Sequence, residues 1–327
     1  MKVLVTGGSG FIGSHVVDRV IAAGHEARNF DLFVSPYLNG HPFENALGDL
    51  RDENDVRAAV SGCDVVIHLA AMADVDQVAK DPTRTEQVNA RGTHILLEAA
   101  RQEGISRFVY ASTIWVYGDA TGPEQIDDDT PLPLPKHFYT ATKIAGEMYV
   151  RSYGELYGLE HTILRFGIPY GPRARPTAVV PAFVAKALGG QPLTIAGDGT
   201  QSRRFVYVED LAAGVVAALQ PAAANRVYNL VGSENVSVRS IARTVRDVVG
   251  DVPIVHVEGR AADLRGANIS GSRARDELGW EPTTSFAEGV RSYVDWVIAT
   301  AGTPSASTAS MTDGTADTVL RQESAEL

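Results

Sequence analysis

A glycine-rich turn between a strand and a helix opens this chain and constrains its fold more than any other feature. The segment "VLVTGGSGFIGSH" places glycines at positions 7, 10 and 13. In such a turn Gly7 permits the tight bend, Gly10 lets the backbone approach a diphosphate, and Gly13 lets the helix pack against the strand. The N–H groups and the dipole of the helix start favour an anion. The turn predicts a dinucleotide site; the alternative is a glycine-rich turn without a ligand.

Short apolar segments alternate with helical segments through the first half of the chain. The segments "KVLVTG", "EARNFD", "DVVIHLAA", "RFVYAST" and "HTILRFG" are predicted to be strands, and "DPTRTEQVNARGTHILLEAARQEG" is predicted to be one long helix. Strands that alternate with helices pair in parallel. The predicted fold class is therefore α/β, a Rossmann-type doubly wound parallel sheet with a smaller mixed α/β C-terminal lobe.

An acidic residue follows where a dinucleotide-binding fold uses one. Asp31 ends the second predicted strand, and a carboxylate there can accept hydrogen bonds from the adenosine ribose hydroxyls. No arginine follows Asp31 to bind a 2′-phosphate. The sequence therefore favours NAD over NADP as the cofactor.

The pattern of residue types changes near Gly171 and again near residue 301. We expect residues 1–170 to form the NAD-binding domain, with a late strand near 227–231 rejoining its sheet. Residues 171–300 are expected to form mainly a substrate-binding lobe. The segment 301–327 is rich in Ser, Thr and Ala and lacks an apolar period, which predicts a disordered tail.

Composition and charge exclude several classes of function. The net charge of −11 argues against nonspecific binding to nucleic acid or to an anionic membrane surface. No apolar run reaches the ~20 residues that a transmembrane helix needs. A single cysteine, Cys63, rules out an internal disulfide and suits a reducing cytoplasm. The histidines are scattered without metal-site spacing, so no catalytic metal is expected.

The segment "YTATK" places Tyr139 four residues before Lys143 at the start of a predicted helix. Residues four apart lie on one helix face, so the phenol and the ammonium can point into the same space. A free tyrosine titrates near pH ~10, and a neighbouring cation lowers that value. The pair can therefore serve as an acid/base device; the alternative is an amphipathic helix whose Tyr packs and whose Lys is solvated.

Together, the glycine spacing and the Tyr-x-x-x-Lys pair resemble the extended short-chain dehydrogenase/reductase family, in its nucleotide-sugar epimerase/dehydratase branch. Further similar segments follow in order over residues 1–300, including "GDL", "HLAA", "VNARGT", "ASTIWVYG" and "RFGIPYGPR". The resemblance implies NAD contacts from Gly7, Gly10, Phe11, Ile12, Gly13, Asp31, Asp49, Leu50, Leu69, Ala70, Ala71, Asn89, Ser112, Tyr139, Lys143 and Ile168.

The same resemblance implies roles for three catalytic residues. Tyr139 as phenolate takes the proton from a sugar hydroxyl, and Thr113 orients the reacting oxygen. Lys143 lowers the pKa of Tyr139 and bonds the nicotinamide ribose. Substrate contacts are implied for Asp74, Thr113, Trp115, Tyr139, Arg175, Val180, Arg203 and Arg260, the last two as diphosphate ligands; no metal is implied.

The residues after Thr113 separate the branches of the family. The 4,6-dehydratases carry an Asp-Glu pair there, and the decarboxylases a Glu, whereas this chain has Ile114 and Trp115. A 4-epimerase of a UDP-hexose or UDP-hexuronate, passing through a 4-keto sugar, is therefore the favoured function. A dehydratase or decarboxylase, a net-redox dehydrogenase or reductase, and a non-catalytic NAD-binding regulator remain as alternatives.

Two departures leave the substrate open. Ile168 replaces the asparagine that the family carries before Tyr-Gly-Pro, and Arg204 stands where the family usually has Asp. The segment "GPRARP" resembles that of uronate 4-epimerases, in which case Arg175 would bind the sugar carboxylate. The resemblance also implies a homodimer formed by the helices at 81–103 and 139–157.

Overall fold

The computed structural model describes residues 1–38, 40, 42–118, 125–258 and 268–301. Arg260 and the predicted tail beyond residue 301 lie outside the described residues. The strands in chain order are β1 (Lys2–Thr6), β2 (Glu26–Asp31), β3 (Glu44–Leu47), β4 (Val65–His68), β5 (Arg107–Thr113), β6 (Gln125–Ile126), β7 (His161–Phe166), β8 (Ile168–Tyr170), β9 (Leu193–Ala196), β10 (Ser202–Tyr207), β11 (Arg226–Leu230), β12 (Asn235–Ser237), β13 (Ile254–Val257) and β14 (Asn268–Ile269).

Helices cover the sheet and build the second lobe. They are α1 (Phe11–Ala22), α2 (Glu53–Val60), α3 (Val75–Lys80), α4 (Pro82–Glu86), α5 (Gly92–Gln102), α6 (Phe138–Tyr157), α7 (Val179–Leu188), α8 (Val208–Ala217), α9 (Val238–Val249), α10 (Ser272–Leu278) and α11 (Phe286–Thr300). Short 3₁₀ turns occupy Ile114–Tyr117 and Pro221–Ala223, and a π-helical turn occupies Gln87–Arg91.

Seven strands form the main sheet in the order β11-β7-β5-β4-β1-β2-β3. Every neighbouring pair in it is parallel. The predicted α/β fold with a doubly wound parallel sheet is therefore confirmed. The strand order reverses between β1 and β4, and ligands of such sheets bind at the carboxyl ends beside that reversal.

Alternate side chains of each central strand enter two separate cores. On β1, Val3 and Val5 pack with α1 and α8, whereas Leu4 packs on the opposite face with α2, α5 and α6. This alternation follows from the two-residue period of a strand, and it buries both faces as a parallel sheet requires. The two layers hold the loops at the carboxyl ends in place.

A third core belongs to the elements that we call the C-terminal lobe, namely β8, β9, β10, β12, β13, α7, α9 and α11. Its members include Tyr170, Phe205, Ile241, Phe286 and Val290, all of them buried. The late strand β11 pairs with β7 in the main sheet, from Arg226 opposite Thr162 onward. The chain therefore crosses between sheet and lobe more than once.

Two local features differ from the sequence-based expectation. The strand β3 was not predicted, because "ENAL" has no apolar run and pairs only at the sheet edge. The long helix predicted from residue 81 is interrupted by the π-helical turn Gln87–Arg91. Such turns carry an extra residue and often occur at functional sites. Among the described residues, no helix combines the length and apolar character that a membrane crossing requires.

Candidate active site

The glycine turn forms a cradle at the carboxyl end of β1. Gly7 has a φ of 73°, which an L side chain rarely adopts, and a methyl group there would lie 2.8 Å from the Ala70 amide nitrogen. A methyl group on Gly13 would collide with the Gly7 carbonyl oxygen. The turn therefore has no room for a side chain at Gly7 or Gly13, as expected of a turn that lets the backbone approach a diphosphate.

Helix α1 starts directly above this turn and presents its N-terminus to it. Gly10 is the N-cap residue, and no side chain caps the helix, whose first residues are Phe11 and Ile12. The first N–H groups of a helix have no intrahelical partner and attract an anion. This uncapped end fits the diphosphate of a dinucleotide.

The segment after β4 crosses over the turn, as the predicted cofactor contacts require. The Leu69 amide donates to the Thr6 carbonyl at 3.2 Å, and the Ala70 amide donates to Thr6 Oγ1, also at 3.2 Å. Ala71 follows, half-buried, at the start of the loop. Residues 69–71 thus line the cradle opposite the helix start.

Asp31 lies at the carboxyl end of β2, beside the turn. Its carboxylate accepts hydrogen bonds from the Ser9 amide at 3.0 Å and from the Leu32 amide at 2.7 Å. Burial raises the pKa of Asp31 even though these backbone bonds oppose the shift. An ionised carboxylate has about four acceptor sites, so it retains capacity for two ribose hydroxyls.

Asp49 and Leu50, two further predicted NAD contacts, follow β3 at the edge of the sheet. The Asp49 carboxylate binds Arg51, whose Nε and Nη2 donate at 3.0 and 2.5 Å, and these hydrogen bonds lower the pKa of Asp49. Leu50 is buried and packs where Gly92 leaves room for it. A contact of Asp49 with adenine remains a prediction.

Asn89 sits in the π-helical turn and is almost fully buried. Its amide group accepts from the Met72 amide at 2.7 Å and donates to the Met72 carbonyl at 2.9 Å. It also donates to Thr142 Oγ1 at 3.1 Å. In this structure Asn89 therefore ties the loop after β4 to helix α6, and direct contact with NAD remains a prediction.

Tyr139 and Lys143 lie on the first two turns of α6. The Lys143 ammonium is buried, donates to the Ala111 carbonyl at 2.9 Å and stands 5.0 Å from the Tyr110 ring centre. Burial lowers the pKa of Lys143 to about 8, while the Glu147 carboxylate opposes that shift. Lys143 is thus a cation near neutrality that deprotonates easily.

The pKa of Tyr139 departs from the expectation drawn from the sequence. Burial raises the pKa of Tyr139 to about 12, and the cation that opposes this rise is Arg175, from a distant loop. The Lys143 ammonium is directed to the Ala111 carbonyl, and desolvation of the phenolate dominates the pKa of Tyr139. A role for Lys143 in lowering that pKa remains a prediction.

The end of β5 supplies the polar residues next to α6. Thr113 Oγ1 accepts a hydrogen bond from the Trp115 amide at 3.2 Å, which leaves the hydroxyl hydrogen able to donate. The Trp115 and Tyr139 rings meet edge to face with centres 6.1 Å apart. Ser112 is buried and donates to Glu147 at 2.6 Å. Trp115 thus flanks the phenol, Thr113 lies two residues before Trp115 at the end of β5, and Ser112 is directed to Glu147.

Two predicted substrate residues form an ion pair with each other. Arg175 Nη1 lies 2.9 Å from Asp74 Oδ2, although the residues are 101 positions apart. Asp74 also caps α3 through its other carboxylate oxygen. The pair joins the loop after β4 to the loop after β8.

The remaining predicted contacts differ in accessibility. Val180 is 1% exposed and belongs to the core of the C-terminal lobe, so only its backbone could meet a ligand. Ile168 packs against the same core from β8. Arg203 is half-buried on β10, with one nitrogen bonded to the Ser202 carbonyl. Arg204 donates to the Gly232 carbonyl at 3.0 Å, and burial lowers its pKa.

Sequence reasoning missed one charged group beneath the site. Glu147 is fully buried on α6 and pairs with the buried Arg165 of β7. Two signals were present in the sequence. Glu147 follows Lys143 by four residues on the same helix face, and Arg165 interrupts an otherwise apolar predicted strand.

Comparison with known proteins agrees with this geometry. The profile of the "NAD dependent epimerase/dehydratase family" matches residues 3–231. A UDP-glucose 4-epimerase of Mycolicibacterium smegmatis is 35% identical over 312 residues, covering 90% of this chain and 98% of that protein. A dTDP-glucose 4,6-dehydratase of Salmonella typhimurium is 30% identical over 341 residues, covering 91% of this chain and 93% of that protein.

A solved structure supports the same likeness. The UDP-glucuronic acid 4-epimerase of Bacillus cereus, in complex with UDP-glucuronic acid and NAD, superposes with a TM-score of 0.83. It is 29% identical and covers 91% of this chain and 99% of its own. Both epimerases and a dehydratase are therefore similar to this protein along nearly its whole length.

Proposed function

Since this chain belongs to the NAD-dependent epimerase/dehydratase family, we propose that it is a nucleotide-sugar 4-epimerase, acting on a UDP-hexose or UDP-hexuronate. The observation that carries this proposal is the contact of Trp115 with Tyr139. An aromatic ring stands beside the phenol, in the segment where the dehydratases of the family carry acidic residues. Dehydration needs an additional acid and base there, and an indole supplies neither.

In the proposed reaction Tyr139 removes the proton of the sugar 4-hydroxyl and later returns it. Thr113 donates its hydrogen to the same oxygen and orients it. NAD held in the glycine turn would supply the acceptor and donor of the hydride at the sugar carbon, and a positively charged ring beside Tyr139. The 4-keto sugar would rotate and be reduced on its other face, so there would be no net oxidation or reduction.

Positive charges near Tyr139 make the phenolate accessible in this proposal. Its pKa of about 12 is too high for a base at neutral pH. Arg175 already opposes the effect of burial, and the Lys143 ammonium, one helical turn from Tyr139, would be the second cation that favours the phenolate and would also hold the nicotinamide ribose.

We propose that residues 1–170, together with β11, bind NAD and that residues 171–300 mainly bind the substrate. Arg203 and Arg260 would hold the diphosphate, because guanidinium groups match phosphate geometry. Arg175 would meet a C6 carboxylate if the sugar is a uronate. The half-exposed position of Arg175 and its pairing with a carboxylate of the protein support this assignment.

We further propose a cytoplasmic homodimer. Helix α6 carries Met148, Leu156 and Tyr157 on its surface. More than half of the surface of Leu156 and of Tyr157 is exposed. Such a stripe beside α5 suits a four-helix bundle made by residues 81–103 and 139–157 of two copies. Sedimentation of the wild type and of a Leu156→Glu variant tests this, because a dimer of this kind should dissociate on the substitution.

The decisive experiment uses protein purified without added NAD, incubated separately with UDP-glucose and UDP-glucuronate. Proton NMR of the sugar products should show the galacto epimer of one of them without added cofactor. A 4-keto-6-deoxy product would make the protein a dehydratase, and a growing absorbance of reduced nicotinamide would make it a net dehydrogenase. Retention of NAD without any product would reject both substrates.

A further inference from the structure

A fully buried carboxylate lies directly beneath the catalytic pair. Glu147 Oε1 accepts from Ser112 Oγ at 2.6 Å and from Arg165 Nε at 3.0 Å, and Oε2 accepts from Arg165 Nη2 at 2.8 Å. The Glu147 side chain has no exposed surface, and that of Arg165 has 2%. Isolating two charges from water is expensive, so this pair needs every one of these bonds.

The guanidinium of Arg165 extends the contacts to the turn after β5. Its Nη1 donates to the Tyr117 hydroxyl at 2.8 Å and to the Asp128 carbonyl at 3.1 Å. Tyr117 in turn donates to Asn229 Oδ1 at 2.8 Å, at the carboxyl end of β11. One ion pair thus connects α6, β5, β7 and β11.

The register of β5 and β7 links Glu147 to the proposed catalytic residue Thr113. Ser112 lies opposite Arg165 in the β5–β7 pairing, and the next residue of β5 is Thr113. Glu147 binds both members of this cross-strand pair from one helical turn beyond Lys143. A shift of α6 along β5 would break at least two of its hydrogen bonds.

We propose that Glu147 is a positioning residue, which fixes the end of β5, with Thr113, against the helix that carries Tyr139. It touches neither proposed ligand and acts through Ser112 and Arg165. Displacements of about 1 Å between catalytic groups can reduce rates by about 100-fold, so this control of register has a measurable effect. The inference rests on the proposed 4-epimerase function.

The same carboxylate also bears on the charge of Lys143. The groups that face Lys143 are Tyr110 of β5, His68 of β4, and Tyr139 and Glu147 of α6, with Arg165 behind Glu147. His68 is neutral above about pH 3, because burial lowers its pKa to about 3. Glu147 is the carboxylate that favours the charged form of Lys143.

The test compares Glu147→Gln with the double variant Glu147→Met/Arg165→Met. The first keeps the shape but removes the charge, and it is expected to lower the melting temperature as well as the rate. The second replaces the ion pair by apolar side chains of similar length, a change that often preserves stability. We expect kcat to fall about 100-fold in both, with KM within about 3-fold of the wild type.

A matched control lies at the other end of the same two strands. Arg107 at the start of β5 pairs with Glu160, which immediately precedes β7, at 2.7 Å. Glu160→Gln breaks this ion pair far from the catalytic residues, so its kcat should stay within about 2-fold of the wild type. A double variant that recovers wild-type kcat together with stability would reduce Glu147 to a structural residue and overturn the proposal.

A second measurement separates this inference from the proposed reaction. NAD affinity is titrated by calorimetry between pH 6 and 9.5 for the wild type and Glu147→Gln. Loss of the carboxylate should move the pH at which affinity declines downward by about 1 unit, because Lys143 then loses its charge earlier. An unchanged profile overturns the proposed effect of Glu147 on the charge of Lys143 even if no sugar substrate is found, whereas a shifted profile with no epimerisation rejects only the 4-epimerase.

Discussion

The proposed cofactor side and the proposed substrate side of the site are built in different ways. The cofactor side consists of one contiguous turn, where Gly7 and Gly13 exclude their own side chains and α1 presents an uncapped end. The substrate side consists of single residues from distant loops, such as Asp74 and Arg175. The first is set by local backbone geometry, whereas the second depends on how the C-terminal lobe packs on the sheet.

The largest effect is expected at the junction of the two sides. Tyr139→Phe removes the proposed acid/base group while leaving the ring that meets Trp115. Loss of general acid/base catalysis should lower kcat about 10³-fold. NAD binding by calorimetry should stay within about 3-fold, because the cradle is untouched. Full activity of this variant would remove Tyr139 from the mechanism.

A pair of glycine variants tests whether the cofactor side depends on close approach. Gly7→Ala places a methyl group against Ala70 and should raise the Kd for NAD about 10- to 100-fold, since overpacking costs about 1–3 kcal/mol. Gly24→Ala is the control, because Gly24 has a similar φ of 80° but open space around it. Both variants should lose about 1–2 kcal/mol of stability from backbone strain. An equal loss of NAD affinity in the two variants would contradict the assignment of the glycine turn to the NAD diphosphate.

Charge variants of the substrate side test its specificity. Arg175→Gln should raise the KM for UDP-glucuronate about 10-fold and leave that for UDP-glucose nearly unchanged, because only the uronate presents a carboxylate. Asp74→Asn is the matched variant, since it releases Arg175 but keeps an oxygen to cap α3. It should leave the KM for the uronate unchanged or lower it. A similar loss with both sugars in Arg175→Gln would reject the assignment.

The smallest effect concerns pH. Burial lowers the pKa of Lys143 to about 8, so its ammonium is present below that pH and is lost as the pH rises through it. A charged donor bonds more strongly than a neutral one by about 1 kcal/mol, so NAD affinity should fall about 5-fold between pH 7 and pH 9. The variant Lys143→Met should bind NAD weakly with no such decline. A wild-type affinity that rises over this interval would contradict the assignment of the ribose bond to the ammonium.

The amino-acid sequence by itself determined the sheet, the glycine turn and the position of the proposed catalytic pair. These follow from apolar periodicity, from the conformational freedom of Gly7 and from the four-residue spacing of Tyr139 and Lys143, all of which act over a few residues. The edge strand β3 could not be predicted from the sequence, because it has no apolar run. It is defined only by its pairing with β2.

Only the tertiary structure decided the electrostatics of the site. The sequence placed Lys143 next to Tyr139, but packing directs its ammonium to Ala111 and brings Arg175 close enough to act on the phenol. The pairing of Glu147 with Arg165 likewise arises from α6 crossing β7. Charge interactions depend on distance and burial, and neither exists until segments far apart in the chain are packed together.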